Sequence, residues 1–96
     1  MAQDFDAKTF LQTLTHKPGV YRMLNGTGDV VYVGKAKSLR NRVTSYFRGT
    51  DSLPPKTRAL MAVVQSVEVT VTHTETEALL LENVLIKKHK IGRAHV

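Results

Sequence analysis

Pro18-Gly19-Val20-Tyr21 and Val31-Tyr32-Val33-Gly34-Lys35, joined through Asn25-Gly26-Thr27-Gly28-Asp29, form the stretch around which the chain is organised. Two apolar β-forming runs, each with a tyrosine beside a glycine, flank a cluster of Gly, Asn and Asp. That pattern predicts a β-hairpin. Alternation along Val20 to Leu24 puts Val20, Arg22 and Leu24 on one face and Tyr21 with Met23 on the other. The second run, Val30 to Val33, is apolar on both faces and predicts a central strand covered by helices.

Working outward, Ser38 is placed to cap a helix reaching Phe47, with Leu39, Val43, Tyr46 and Phe47 inward and Gly49 ending it. Upstream, Phe10, Leu11 and Leu14 recur at helical spacing behind Asp6 as cap, and Pro18-Gly19 stops that helix. Asp51-Ser52-Leu53-Pro54-Pro55 predicts a loop, its proline pair excluding helix. A further helix is expected over Lys56 to Gln65. Val67 to Thr72 alternates strictly, with Glu68, Thr70 and Thr72 polar, as at a sheet edge. Thr74-Glu75-Thr76-Glu77 is a capping box opening a helix to about Lys90, with Lys87, Lys88 and Lys90 near its negative end. The order α-β-β-α-α-β-α predicts an α+β, sandwich-like fold: a small three-stranded sheet, at least partly antiparallel, with helices around it.

The 96 residues suit one domain with a modest core. Fourteen Lys and Arg stand against eight Asp and Glu, a formal charge of +6 that favours a polyanionic partner, nucleic acid before membrane. The basic residues do not lie on one strongly amphipathic helix, so a membrane-surface role ranks low. No apolar run approaches transmembrane length, and the acidic start (Asp4, Asp6) is unlike a signal peptide. Cysteine is absent, which excludes disulfides and thiolate metal sites. These features predict a cytoplasmic protein.

Two places carry potential chemistry. Glu82 lies among Ala78, Leu79, Leu85 and Ile86, its neighbours along the helix surface, and so projects from the buried stripe. Burying an unpaired carboxylate costs several kcal/mol, so a cation, a metal or a raised pKa must compensate. An ion pair with a helix arginine such as Arg42 is the structural alternative. The second place is the run Lys35, Lys37, Arg40, Arg42 and Arg48, five cations without an acid between them. Arg42 shares a helix face with Tyr46, and its planar guanidinium suits two-point contact with phosphate oxygens. Gly34-Lys35-Ala36 is not a P-loop, because Ala36 stands where a magnesium-binding hydroxyl belongs. The four histidines make no ligand pair, and His73 is expected to pack on the apolar face of the third strand.

Taken together, these residues resemble the GIY-YIG nuclease family, and within it the N-terminal domains of the UvrC type. Gly19-Val20-Tyr21 and Tyr32-Val33-Gly34 match the two signatures. Gly34 to Arg42 matches the third block, Ser45-Tyr46-Phe47 follows, and Glu77 to Glu82 running into Lys87 matches the block of the metal-binding glutamate. Two departures stand out: Val84 replaces the usual asparagine two residues after that glutamate, with Asn83 one residue early, and the family's Pro-x-Tyr-Asn segment is missing. The match implies a nuclease domain over residues 1–90, its core about 16–90, and a tail over 91–96 without family counterpart. It also implies a central three-stranded antiparallel sheet flanked by helices.

The resemblance further implies metal-dependent hydrolysis of a DNA phosphodiester on the 3′ side of a lesion in bacterial nucleotide excision repair. One divalent cation, Mg²⁺ or Mn²⁺, would be held by Glu82. Catalytic roles would fall to Tyr21, Tyr32, Lys35, Arg42, Tyr46 and Glu82. DNA contacts would come from Gly34, Lys35, Lys37, Arg40, Arg42 and Arg48, with Gly34 letting the strand end approach helix and phosphate closely. Partners would be damaged double-stranded DNA and UvrB loaded by UvrA. Tyr32 is the expected base, with Tyr21 positioning it or the water; a free phenol has a pKa of ~10 and would need a lowering charge from Lys35 or the metal. The competing expectation is an inactive GIY-YIG-like module that binds DNA or docks on protein.

Overall fold

A computed structural model of the chain describes residues 7–48 and 53–89. Its elements follow the expected order: α1 (Ala7–Gln12), β1 (Gly19–Leu24), β2 (Val30–Ala36), α2 (Leu39–Ser45), α3 (Pro55–Val63), β3 (Ser66–Val71) and α4 (Glu75–Lys88). The Asp6 cap, the Gly49 stop, Asp51-Ser52 and the 91–96 tail lie outside the described residues. Pro55 opens α3 rather than lying in a loop. At a first helical position its missing N–H costs nothing and its fixed φ favours the turn.

The three strands are antiparallel in the order β2-β1-β3. β1, not β2, is therefore the central strand, which corrects the reading of the second apolar run. Apolar residues on two faces report cover above and below, not how many strands lie beside. β2 is covered in this way, yet one of its edges is open.

The hairpin turn is held by Asn25, whose Oδ1 accepts from the N–H groups of Thr27 and Asp29 at 3.1 and 3.0 Å. Gly28 has φ of 87°, a conformation open to glycine at little cost. One irregularity falls between Met23 and Leu24, where the register passes from Tyr32 to Val30 and leaves Val31 out of step.

The sheet divides two cores. On one face Tyr21, Met23, Ala36, Leu39, Val43, Tyr46, Val64 and Val67 pack with Leu14. On the other, Val20 and Val33 pack against Ala78 of α4, with Leu81, Leu85 and Ile86 around them. α4 begins as expected, the Thr74 hydroxyl accepting from Glu77 N–H at 3.1 Å. The Glu77 carboxylate accepts from His73 N–H at 2.8 Å, one residue before the cap. His73 is thus an exposed residue preceding α4, not a packed residue of β3, which ends at Val71. No helix among the described residues is long and apolar enough to cross a membrane.

Candidate active site

Strand register brings the tyrosines together. Tyr21 stands opposite Gly34, and Met23 opposite Tyr32. Directly opposed residues share a sheet face, as do residues two apart, so Tyr21, Tyr32 and Gly34 all face α2. Tyr46, at the end of α2, closes the cluster. Ring centroids are 6.1 Å apart for Tyr21–Tyr32, 5.8 Å for Tyr21–Tyr46 and 6.5 Å for Tyr32–Tyr46. The Tyr21 and Tyr46 hydroxyls hydrogen-bond at 2.9 Å. Arg42 Nε donates to the Tyr21 hydroxyl at 3.4 Å, and its guanidinium lies 5.5 Å from the Tyr46 ring centroid.

Gly34 is required by this cluster, because the Tyr21 ring lies directly over it. A Cβ at position 34 would overlap the Tyr21 hydroxyl and sit 2.5 Å from its Cζ. The steric reason for this glycine is thus the Tyr21 ring, which fills its empty side, while Gly34 itself lines the cleft.

Beside Gly34 the two sheet faces communicate around the open edge of β2. Tyr21, Tyr32, Gly34 and Arg42 reach the edge from the α2 side. Glu82 belongs to α4, and Lys35 alternates onto that same face. Together these six line one cleft of about 270 Å³. Glu82 is 3% exposed and is the buried charged residue of the described part. No hydrogen-bond or ion-pair partner for its carboxylate occurs among the described residues, so the alternative pairing with Arg42 is not made there. No fully enclosed polar side-chain atom among them lacks a partner either, so the Glu82 oxygens keep access to the cleft.

Such a carboxylate, desolvated on its helix side and open to a cleft, fits a cation that retains most of its own water. No group of three or more His, Cys, Asp or Glu that could hold a metal ion occurs among the described residues.

Their surroundings shift the Tyr21 and Tyr32 phenols upward. Burial first, then the neighbouring Tyr46 hydroxyl, raises the pKa of Tyr21, with the Arg42 hydrogen bond partly offsetting this. Tyr32 is raised for the same two leading reasons, and Arg42 opposes weakly. Lys35 lies on the opposite sheet face from both phenols. The Arg42 pKa is raised, chiefly by its hydrogen bond to Tyr21.

Of the expected DNA-contacting cations, Lys35 and Arg42 line the cleft. Lys37 lines an adjoining groove with Lys35, Ala36, Ser38, Asn41, Arg42 and Ser45. Arg40 instead turns towards α1, where its guanidinium donates to the Gln12 carbonyl at 3.2 Å. Arg48 is exposed and lines neither depression. Sequence reasoning missed the Tyr21–Tyr46 hydrogen bond and the seating of Tyr21 on Gly34. No signal marks these, since the residues are distant in sequence and register joins them.

Comparison with known proteins gives a consistent family. The UvrC-like GIY-YIG domain profile matches residues 17–91. The chain is 63% identical over 86 residues to UvrABC system protein C of Methylococcus capsulatus, covering 90% of this chain and 14% of that protein. It is 57% identical over 90 residues to the Escherichia coli O1:K1 protein of the same name, covering 94% of this chain and 15% of that one. The chain thus spans about one-seventh of the length of these curated relatives. Among solved structures, the N-terminal GIY-YIG endonuclease domain of UvrC from Thermotoga maritima, bound to magnesium, superposes with a TM-score of 0.78. That match has 32% identity and covers 96% of this chain and 100% of the other.

Proposed function

The chain belongs to the UvrC-like GIY-YIG domain family, and on that membership we propose that it is a divalent-metal-dependent DNA endonuclease domain. Its nuclease unit spans residues 1–90, with 91–96 outside it. The reaction is hydrolysis of a phosphodiester 3′ to a lesion in nucleotide excision repair, on damaged double-stranded DNA presented by UvrB after loading by UvrA, in the cytoplasm. The observation that carries this reading is Glu82: a buried carboxylate without a partner among the described residues, opening into the cleft that Tyr21, Tyr32, Lys35 and Arg42 line.

Glu82 would hold the cation, Mg²⁺ or Mn²⁺; the related Thermotoga domain is bound to magnesium. When bound, the ion supplies positive charge against the negative charge that grows on the phosphate and on the departing 3′ oxygen. Arg42 and Lys35 face the same cleft and stabilise the phosphoryl oxygens, Arg42 through donors that Tyr21 leaves free. Arg42 Nε is held by the Tyr21 hydroxyl, so the guanidinium is aimed before substrate arrives.

Tyr32 accepts the proton of the attacking water at its phenolic oxygen. With its pKa raised, a standing phenolate is disfavoured, so the hydroxyl must release its own proton as it gains one. That proton passes by way of the neighbouring phenols, each of which both donates and accepts, to solvent water in the open cleft. Tyr21 and Tyr46, locked by their 2.9 Å hydrogen bond, orient Tyr32 and Arg42 rather than contact the phosphate.

The test is nicking of a lesion-bearing duplex with Mg²⁺ or Mn²⁺, with UvrA and UvrB added, by wild type and by Glu82→Gln. Wild type should nick on the 3′ side, and Glu82→Gln should bind DNA and fail to cut. Equal nicking by both removes Glu82 as metal ligand. Metal-independent binding without nicking by either favours the docking-module alternative.

A further inference from the structure

Arg42 and Lys35 belong to two depressions at once. One is the 270 Å³ cleft of the tyrosines and Glu82; the other is a more open groove of about 430 Å³ along the outer face of α2. The groove adds Lys37, Ser38, Asn41 and Ser45, with no carboxylate. Two of these side chains are already committed. Ser38 Oγ accepts from Asn41 N–H at 3.3 Å and pairs with His16 Nδ1 at 3.1 Å, and Ser45 Oγ donates to the Arg42 carbonyl at 2.5 Å. The Lys37 ammonium and the Asn41 side-chain amide have no such partner among the described residues, and both are exposed. These are a point charge and a neutral N–H donor, the groups that hold a phosphodiester without reading a base.

We propose that Lys37 and Asn41 form a second phosphate site, which holds the phosphodiester next to the scissile one on the cut strand. The inference rests on the nuclease reading for its ligand, since a polynucleotide carries phosphates in series and the two depressions are joined through Arg42 and Lys35. It separates the basic run by role. Lys37 follows the DNA backbone, whereas Arg40, two residues from Arg42, is spent on tying α2 to α1. Asn41, which no charge argument selects, becomes a determinant of where the strand lies. A fixed neighbouring phosphate sets the scissile bond against the water and so contributes to orientation.

The test is DNA binding by fluorescence anisotropy at several salt concentrations, with wild type, Asn41→Asp, Asn41→Ala and Lys37→Ala, alongside the nicking assay. Asn41 is exposed on a helix, so the substitutions should leave thermal unfolding unchanged. Asn41→Asp should weaken binding about tenfold and Asn41→Ala less, and Lys37→Ala should lower the salt slope by about one. A single methylphosphonate adjacent to the scissile bond should weaken wild-type binding and cost Asn41→Asp little more, because both remove one contact. Normal binding by Asn41→Asp, or losses that add fully at both neighbouring positions, would overturn the site. Binding losses as described with no cutting by wild type would leave the groove standing and sink the nuclease reading instead.

Discussion

Adding one methyl at Gly34 tests the cluster at its tightest point. The new Cβ would overlap the Tyr21 hydroxyl and lie 2.5 Å from Cζ and 3.0 Å from Cε1. Carbon atoms in ordinary contact stand ~3.5–4.0 Å apart, so the Tyr21 ring must move by about 1 Å. Tyr21 is 1% exposed and packed against Tyr32 and Tyr46. Overpacking of this kind costs about 1–3 kcal/mol, and losing the Tyr21–Tyr46 hydrogen bond adds ~0.5–1.5 kcal/mol. Together they predict a loss of about 2–4 kcal/mol for Gly34→Ala, which for a domain of this size lowers Tm by on the order of 10–20 °C. Thermal unfolding by circular dichroism reads this directly. All three overlapping atoms lie beyond Cδ, where leucine has no atoms. In a Tyr21→Leu background, then, the same methyl should cost nothing, or stabilise by ~0.4–1 kcal/mol through the unfolded chain. Equal costs in both backgrounds would refute the account of Gly34 given above.

Further outcomes follow from the same geometry. Mg²⁺ or Mn²⁺ should raise the Tm of wild type but not of Glu82→Gln, since the ion binds the folded state through that carboxylate; an equal rise in both places the ion elsewhere. Tyr32→Phe should slow single-turnover cutting at neutral pH by ~10²–10⁴-fold, and an unchanged rate removes Tyr32 as base. The folded-state pKa values of Tyr21 and Tyr32 lie above the unfolded value near ~10, so the unfolded chain binds fewer protons above that pH. The stabilisation is complete below pH ~10 and is lost as pH rises through the folded values, so Tm should fall steeply in alkali. Spectrophotometric titration should show two phenols resisting ionisation at pH ~10, and three titrating normally would contradict the burial argument.

Local chemistry made much of this molecule legible before its structure. The hairpin, the cap of α4 and the basic run depend on residues within a turn or a strand of one another. Glu82 was readable because helical periodicity puts it among Ala78, Leu79, Leu85 and Ile86; α4 packs Ala78, Leu85 and Ile86 on the sheet, whereas Leu79 is exposed. Elsewhere, local patterns pointed wrongly. The apolar faces of β2 suggested a central strand, but β1 takes that place, its Arg22 satisfied across the sheet by Thr70 at 3.0 Å and Glu68 at 3.6 Å. Pro54-Pro55 suggested a loop where a helix starts.

Residue order thus specified which groups exist and which elements carry them, because helix period, strand alternation and capping act over a few residues. Strand pairing specified which groups meet. A one-residue slip in β2 would send Tyr32 to the α4 face and part it from Tyr21. The bulge at Met23/Leu24 and the pairing of Tyr21 with Gly34 fix that register. They also set Tyr21 and Tyr32 into a buried cluster, whose low dielectric disfavours their phenolates. Glu82 reaches the same cleft from α4, which packs on the other face of the sheet. Edge position and register arise from contacts far apart in the chain, so folding rather than local pattern assembles the site.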